Sequence, residues 1–176
     1  DANAILDPTF TGTGANSTIN SVVIQTDNQI VIGGSFTTYN GTTGLGRIAR
    51  LNTNGTLDGT FAPTSGAANT IQTITIQTDG KILIGGSFIT YNGTSRIRIA
   101  RVNTDGSLDT GFDPGAGTDN VVYSIPVQPD LKIVLGGSFG LYNNTTRNNL
   151  TRVNSNGTLD LTFNPGTAAN NEINAI

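Results

Sequence analysis

The chain has no cysteine, histidine, methionine or tryptophan, and only 12% of its 176 residues are charged. Without cysteine and histidine it lacks a disulfide framework, a thiolate nucleophile, an imidazole base and the usual zinc ligands. Its net charge of −3 argues against nucleic-acid binding, which needs a basic surface. No run of about 18 apolar residues is present, so we expect no membrane-spanning segment.

What the chain does contain is glycine, at 23 positions, and valine, isoleucine and leucine in short runs between turn residues. This arrangement predicts many short β-strands, whereas a disordered chain would lack such runs and carry more charge. The length is sufficient for one domain with a hydrophobic core. Because there is no initiator methionine, we expect a processed chain or a segment of a longer one.

An internal repeat organises the sequence. The pattern Leu-Asp-x-x-Phe begins at residues 6, 57, 108 and 159, a constant spacing of 51 residues. Between these markers Gly-Gly-Ser-Phe occurs at 33–36, 85–88 and 136–139, and an arginine precedes each Leu/Val-Asn pair at 50, 101 and 152. Self-similarity at a period near 50 indicates a repeat architecture.

Each repeat predicts four strands. In the second repeat, strand a covers about 71–77, where apolar and polar residues alternate, and strand b covers 81–86, where an apolar run ends in Gly-Gly. Asp79-Gly80 fits the hairpin turn between them. Strand c covers 99–102, and strand d carries Leu108 and Phe112.

We therefore predict an all-β fold of β-propeller-type blades, each with four antiparallel strands, in three full repeats of about 51 residues plus partial end strands. The expected organisation is a terminal strand of a preceding blade with its linker, three blades, and the start of a fourth. The corresponding boundaries are 1–18, 19–61, 62–112, 113–163 and 164–176.

The motifs of the second repeat resemble those of the delta-60 repeat, a bacterial β-propeller repeat family of uncharacterised function. They are Gln-Thr-Asp-Gly-Lys-Ile-Leu-Ile-Gly-Gly-Ser-Phe at 77–88, Tyr-Asn-Gly-Thr at 91–94, Arg-Ile-Ala-Arg-Val-Asn at 98–103 and Asp-Gly-Ser-Leu-Asp at 105–109. The strand layout is kelch-like, although the later aromatic signature of kelch repeats is missing. The resemblance implies an extracellular, cell-surface or virion setting, and it brings neither catalytic residues nor a cofactor.

Three blades do not close a propeller, which typically needs four to eight. The segment is part of a longer propeller, or copies of it assemble into a ring, or its units stack in an open array; we favour the first. The expected partners of the blades are thus further blades of the parent chain or copies of the chain itself.

Two sets of repeated residues are candidate functional groups. The acids at 7, 58, 109 and 160 invite a catalytic or cation-binding interpretation, but they recur once per repeat, so we interpret them as turn braces pairing with the repeated arginines. We predict no catalytic residue and no metal site. Aromatic and amide groups just past strand b suit sugar rings, although we favour the interpretation that each tyrosine packs between blades with its hydroxyl hydrogen-bonded. These candidates are Tyr39, Asn40, Tyr91, Asn92, Tyr142 and Asn143.

The leading hypothesis is a non-catalytic structural or adhesive module of an extracellular, cell-surface or phage tail-associated protein, displaying loops to a glycan or a surface protein. An intracellular protein-interaction propeller is one alternative. A fragment of a carbohydrate-active propeller enzyme is the other, and it would need two carboxylates at a defined separation.

Overall fold

The computed structural model describes residues 8–167 and 169–176, which form fifteen β-strands and no helix. Leu6 and Asp7 of the predicted first strand lie outside these residues. The first repeat (19–61) contains β1 (Ile19–Ile24), β2 (Ile30–Gly34), β3 (Thr38–Tyr39), β4 (Thr42–Thr43) and β5 (Ile48–Leu51). The second (62–112) contains β6 (Ile71–Ile76), β7 (Ile82–Gly86), β8 (Thr90–Tyr91), β9 (Thr94–Ser95) and β10 (Ile99–Val102). The third (113–163) contains β11 (Val122–Ser124), β12 (Ile133–Gly137), β13 (Leu141–Tyr142), β14 (Thr145–Thr146) and β15 (Leu150–Val153).

Each repeat folds into a three-stranded antiparallel sheet with the predicted strand b in the middle. The orders are β1-β2-β5, β6-β7-β10 and β11-β12-β15. In the second sheet Ile74 pairs with Ile84, which in turn pairs with Ala100, and a bulge interrupts the ladder near Ile71. The middle strand β7 is buried along its whole length, as its uninterrupted apolar run predicts.

The predicted fourth strand is reduced to a single bridge. Leu108 forms an isolated antiparallel bridge with Val102, and the chain forms no strand between this bridge and β11. The next residues curl into a turn in which the Asp109 carboxylate accepts the Gly111 N–H and the Phe112 N–H donates to the Asp109 carbonyl. Because this turn takes the N–H groups that a ladder would use, the main sheets have three strands rather than the predicted four.

A two-stranded hairpin, which the sequence pattern did not predict, connects strands b and c of every repeat. These hairpins are β3-β4, β8-β9 and β13-β14. At the tip of the second one Asn92 and Gly93 both have positive φ, of 48° and 76°, the backbone of a tight hairpin turn. Strands of two residues are too short to show an alternating pattern, so periodicity could not reveal them.

The core lies between successive sheets, because the first strand of each repeat packs against the middle strand of the repeat before it. Ile71 and Ile74 are buried against Gly33, where an added Cβ would come within 2.7 Å of Ile74 Cδ1. The same relation places Ile125 against Gly85. The first glycine of the pair therefore leaves room for side chains of the next repeat, and the second allows close approach of the backbone within its own repeat, since a Cβ at Gly86 would lie 2.2 Å from the Thr70 carbonyl oxygen.

The third repeat departs from the other two in its first strand. β11 has three residues, whereas β1 and β6 have six each. Pro126 stands where the second repeat has Thr75, and proline has no N–H to donate to the ladder. Pairing resumes as one bridge between Val127 and Ile133.

Candidate functional site

An arginine–aspartate pair recurs at the strand c edge of every sheet. The arginine extends from strand c, and its Nε donates to the Oδ2 of an aspartate that follows the isolated bridge. The N–O distances are 2.7 Å for Arg50–Asp58, 2.6 Å for Arg101–Asp109 and 2.7 Å for Arg152–Asp160. In each repeat the guanidinium also lies over a phenylalanine ring, about 5 Å from its centroid.

These pairs keep the aspartates ionised. Burial acts to raise the pKa of Asp58, but hydrogen bonds from Thr60 and Arg50, with the charge of Arg50, outweigh it and lower the pKa to about 2. Burial also acts to raise the pKa of Asp109. Hydrogen bonds from Lys81, Arg101 and the Gly111 N–H outweigh this effect and lower the pKa to about 2. An aspartate with a lowered pKa is a poor general acid at neutral pH.

The same arginines connect one repeat to the next. Arg50 Nη1 donates to the Thr104 carbonyl at 2.7 Å, and Arg101 Nη1 donates to the Ser155 carbonyl at 2.6 Å. Beside these contacts the Asp113 N–H donates to the Asn156 carbonyl. The guanidinium thus fixes the strand c–d turn of the following repeat, a role for which its planar set of donors is suited.

A third group completes the charge cluster, and it differs among the repeats. Lys81 Nζ lies 2.9 Å from Asp109 Oδ2, and Lys132 Nζ lies 2.9 Å from Asp160 Oδ2. In the first repeat the neutral Gln29 takes this place, with Nε2 2.9 Å from Asp58 Oδ2. Among the described residues, Asp58 therefore has one cationic partner, and Asp109 and Asp160 have two each.

The structure places the predicted tyrosines inside the core. Tyr39 is buried, and Tyr91 and Tyr142 are fully buried. Each hydroxyl donates to a carbonyl of the c–d turn in its own repeat, for example Tyr91 to Gly106 at 2.8 Å. Burial raises the pKa of Tyr91 and Tyr142, and the charges of Asp105 and Asp113 act in the same direction. These rings thus present no open face for stacking a sugar.

The predicted asparagines hold the hairpin tip to the chain that enters the repeat. Asn40 Oδ1 accepts the Gly14 N–H, Asn92 Oδ1 accepts the Gly66 N–H, and Asn143 Oδ1 accepts the Ala116 N–H. Their main chains have φ values of 47°, 48° and 43°. The left-handed backbone that asparagine tolerates explains this residue type at the tip.

The acids outside the charge clusters also serve turns. Asp119 Oδ1 accepts the N–H groups of Gly140 and Leu141, both at 2.9 Å. Asp113 Oδ1 accepts the Gly115 N–H, and Asp130 Oδ1 accepts the Lys132 N–H. Across 8–167 and 169–176 no three histidine, cysteine, aspartate or glutamate residues come together as metal ligands. The same residues include no helix long and apolar enough to cross a membrane.

Sequence reasoning found the repeated arginines and aspartates but missed two features of the junctions between repeats. The first is the arginine bond to a carbonyl 54 residues further along, since a main-chain acceptor leaves no trace in residue types. The second is Gly111, which stands where the other repeats have Thr60 and Thr162. Aligning the three repeats reveals this substitution, and its consequence depends on the cavity that the structure shows.

One family model matches the chain in three segments, 25–61, 77–112 and 128–163. Its description is a domain of unknown function (DUF5122), β-propeller. The matched segments together cover more than half of the 176 residues, and each ends at a phenylalanine that marks the end of a repeat.

Among solved structures, the chain is similar to the extracellular domain of a protein of B. thetaiotaomicron described as a one component system. The TM-score is 0.55 at 19% identity, over 95% of this chain and 20% of that one. It is also similar to virginiamycin B lyase from Staphylococcus aureus, with a TM-score of 0.48 at 17% identity, over 84% of this chain and 42% of the lyase. The chain therefore spans less than half of either protein, and at this identity the first likeness shows the fold alone. No curated protein matches the chain.

Proposed function

The chain belongs to the DUF5122 β-propeller family, and from this premise we propose that it is a non-catalytic structural or adhesive module of an extracellular, cell-surface or virion protein. Its repeats act as blades whose fourth strand is reduced to one bridge. The blades form a rigid frame, and their exposed loops contact a glycan or a surface protein.

One observation carries this proposal: the charged groups of the repeats are used to hold the repeats together. The Asp109 carboxylate is engaged by Arg101 and Lys81, and Arg101 is in turn bonded to Ser155 of the next repeat. A catalytic carboxylate pair needs two acids in different environments facing one substrate. Carboxylates that recur in the same ion-paired setting support a frame rather than an active site.

The face of β1 supports a second part of the proposal, that a further repeat unit docks on it. Val22 and Ile24 are 58% and 69% exposed, whereas Ile74, the counterpart of Val22, is buried by the preceding repeat. At the opposite end Ile176 covers Gly136 as Ile74 covers Gly33. We infer that the β1 face takes the same kind of partner, a blade of the parent chain or a copy of this chain.

A binding and turnover assay tests the proposed function. The fluorescently labelled chain is applied to an array of bacterial and host glycans, and the same glycans are incubated with it and analysed for released products. The proposal predicts retention on a subset of glycans with no product formed. Hydrolysis of a retained glycan would contradict the non-catalytic role and indicate an enzyme. The absence of retention on glycans and on cell surfaces would leave only a spacer role.

A further inference from the structure

The second repeat differs from the other two beside its arginine. Arg50 Nη2 donates to Thr60 Oγ1 at 2.9 Å, and Arg152 Nη2 donates to Thr162 Oγ1 at 3.4 Å. The corresponding position of the second repeat is Gly111, which has no hydroxyl. Within the described part of the chain, Arg101 Nη2 consequently has no hydrogen-bond partner.

Gly111 lines a cavity of about 280 Å³ at the junction of the second and third repeats. It is lined by Gln77, Asp79, Arg101, Gly111 and Leu131, together with the turn at 155–156. Its volume lies near the lower end of the range for small-molecule sites, about 300–1,000 Å³, which suits one small ring.

An acceptor without a partner belongs to a residue that lines the same cavity. Gln77 is more than nine-tenths buried, and in the described part of the chain its Oε1 accepts no hydrogen bond, as is also true of the equivalent Gln25 Oε1 in the first repeat. In the third repeat the equivalent Gln128 Oε1 accepts from Arg152 Nη1 at 3.3 Å, so glutamine and arginine of one repeat face the same space. A buried polar atom left without a partner is costly, and a ligand hydroxyl can satisfy it.

Leu131 adds an apolar wall at the rim of the cavity. It is 47% exposed and has a φ of 63°, in the left-handed region that branched side chains rarely occupy. The first and second repeats have Asn28 and Gly80 at this position, residues that tolerate such a backbone. Exposed leucine in a strained conformation is a feature of sites where strain is retained for function.

The charges around the cavity balance. The cations are Lys81 and Arg101, and the anions are Asp79 and Asp109. A balanced site favours neither a phosphate nor a metal ion. A free donor, a free acceptor and an apolar wall together suit a ring that carries both hydroxyls and C–H faces.

We propose that this cavity binds a single neutral sugar ring, with Arg101 Nη2 donating to one hydroxyl, Gln77 Oε1 accepting from another, and Leu131 against the C–H face. The proposal rests on the proposed function and assigns the glycan contact to one junction of the frame. It also explains why the buried tyrosines need not take part.

The test uses the methyl glycosides of glucose, galactose, mannose and N-acetylglucosamine as probes, with binding measured by ligand-observed NMR on the full chain. Gly111→Thr restores the residue of the other two repeats and fills the cavity. Gly111 has no positive φ, and an added Cβ would lie 3.2 Å from Asp109 Oδ1, a close contact that requires a small shift of this carboxylate. The corresponding aspartates accept a threonine at this position in the other two repeats, where Thr60 and Thr162 donate to them. We expect at least one glycoside to bind and Gly111→Thr to weaken it by about tenfold or more.

Two further variants separate binding from folding. Thr60→Gly opens the same space in the first repeat and leaves the second untouched, so binding should not fall. Leu131→Gly relieves the backbone and removes the apolar wall, so the urea midpoint should rise while binding weakens. A merely structural leucine would raise the midpoint without weakening binding, and that result would overturn its assigned role.

The outcomes distinguish this inference from the proposed function. Equal binding of a glycoside by the unaltered chain and by Gly111→Thr would overturn the cavity as the site and leave the adhesive module standing. Binding of none of the four glycosides, with retention on the glycan array intact, would overturn the inference in the same way. Absence of array retention as well would overturn the inference and also the adhesive part of the proposed function, leaving a structural spacer.

Discussion

Arg101 Nη1 donates a 2.6 Å hydrogen bond to the carbonyl oxygen of Ser155, which lies 54 residues further along the chain in the next repeat. Arg50 and Thr104 stand in the same relation, with the same separation of 54 residues. The bond ties the outer edge of one repeat to a turn of its neighbour, while isoleucines against Gly-Gly join the inner strands. Two distant contacts of different chemistry therefore fix the angle between successive sheets.

Replacing the repeated arginine should lower the free energy of unfolding most in the repeat whose aspartate has no second cationic partner. Arg50→Ala leaves Asp58 with the neutral Gln29, whereas Arg101→Ala leaves Asp109 with Lys81. We expect Arg50→Ala to lower the free energy of unfolding by about 3 kcal/mol or more, and Arg101→Ala to cost less. Urea unfolding of both variants checks the order; an equal or larger loss for Arg101→Ala would refute the role given to Lys81.

A methyl group at the junction glycine should separate two repeats. The Cβ of Gly85→Ala would lie 2.5 Å from Ile125 Cδ1 and 2.9 Å from Val122 Cγ1, so these buried side chains must shift. We expect the free energy of unfolding to fall by about 1–3 kcal/mol. Gly59→Ala is the control, since its Cβ meets nothing within 4 Å and its effect should stay within about 0.5 kcal/mol. Similar effects of the two changes would contradict close packing at Gly85.

The buried tyrosine hydroxyl should contribute to stability rather than to binding. Tyr91→Phe leaves the Gly106 carbonyl with only the long 3.4 Å contact from Asn92 Nδ2. We expect a loss of about 1–2 kcal/mol in urea unfolding and no change in glycan retention. Tyr123→Phe is the matched control, because within the described residues the Tyr123 hydroxyl makes no hydrogen bond. Weaker retention by Tyr91→Phe alone would restore the tyrosine as a ligand contact.

Acid should unfold the chain through its paired aspartates. The pKa values of Asp58 and Asp109 are lowered from 3.8 to about 2 in the folded protein. A lowered pKa contributes stability that is fully present above the unfolded value and is lost as the pH falls through the folded value. The urea midpoint should therefore be steady above about pH 5 and fall between about pH 4 and pH 2.

The Asp58→Asn and Asp109→Asn double variant is the control for this pH dependence. It should be less stable at neutral pH and show a shallower fall on acidification. An equally steep fall would assign the acid sensitivity to other carboxylates.

Strands a, b and c of the second repeat could be predicted from the sequence to within one residue. Alternation marks 71–77, where β6 is Ile71–Ile76, and the apolar run before Gly-Gly marks 81–86, where β7 is Ile82–Gly86. The prediction of a fourth strand was wrong because the turn at Asp109 hydrogen-bonds backbone N–H groups that the predicted ladder required. Hydrophobic residues at 108 and 112 signal burial, and burial alone does not distinguish a strand from a turn.

The candidate site was predictable in its residue types but not in its contacts. Tyr91 and Asn92 recur in every repeat because they hold a hairpin and a turn in place, and a repeated aromatic-amide pair looks the same whether buried or exposed. The cavity beside Arg101 lies where Gly111 replaces the threonine of the other two repeats. Its effect depends on how two repeats meet, which no local pattern encodes.

The most direct test of the account is the solution mass of the 18.2 kDa chain, measured by light scattering over a range of concentrations. If a repeat unit docks on the β1 face, the unaltered chain should associate through it, and Val22→Asp should return the mass to that of the monomer. Ile89→Asp, at an equally exposed isoleucine of the second repeat, should leave association unchanged. A monomeric mass for the unaltered chain at every concentration would assign the β1 face to a blade of the parent chain, whereas association that Val22→Asp does not affect would contradict docking on this face.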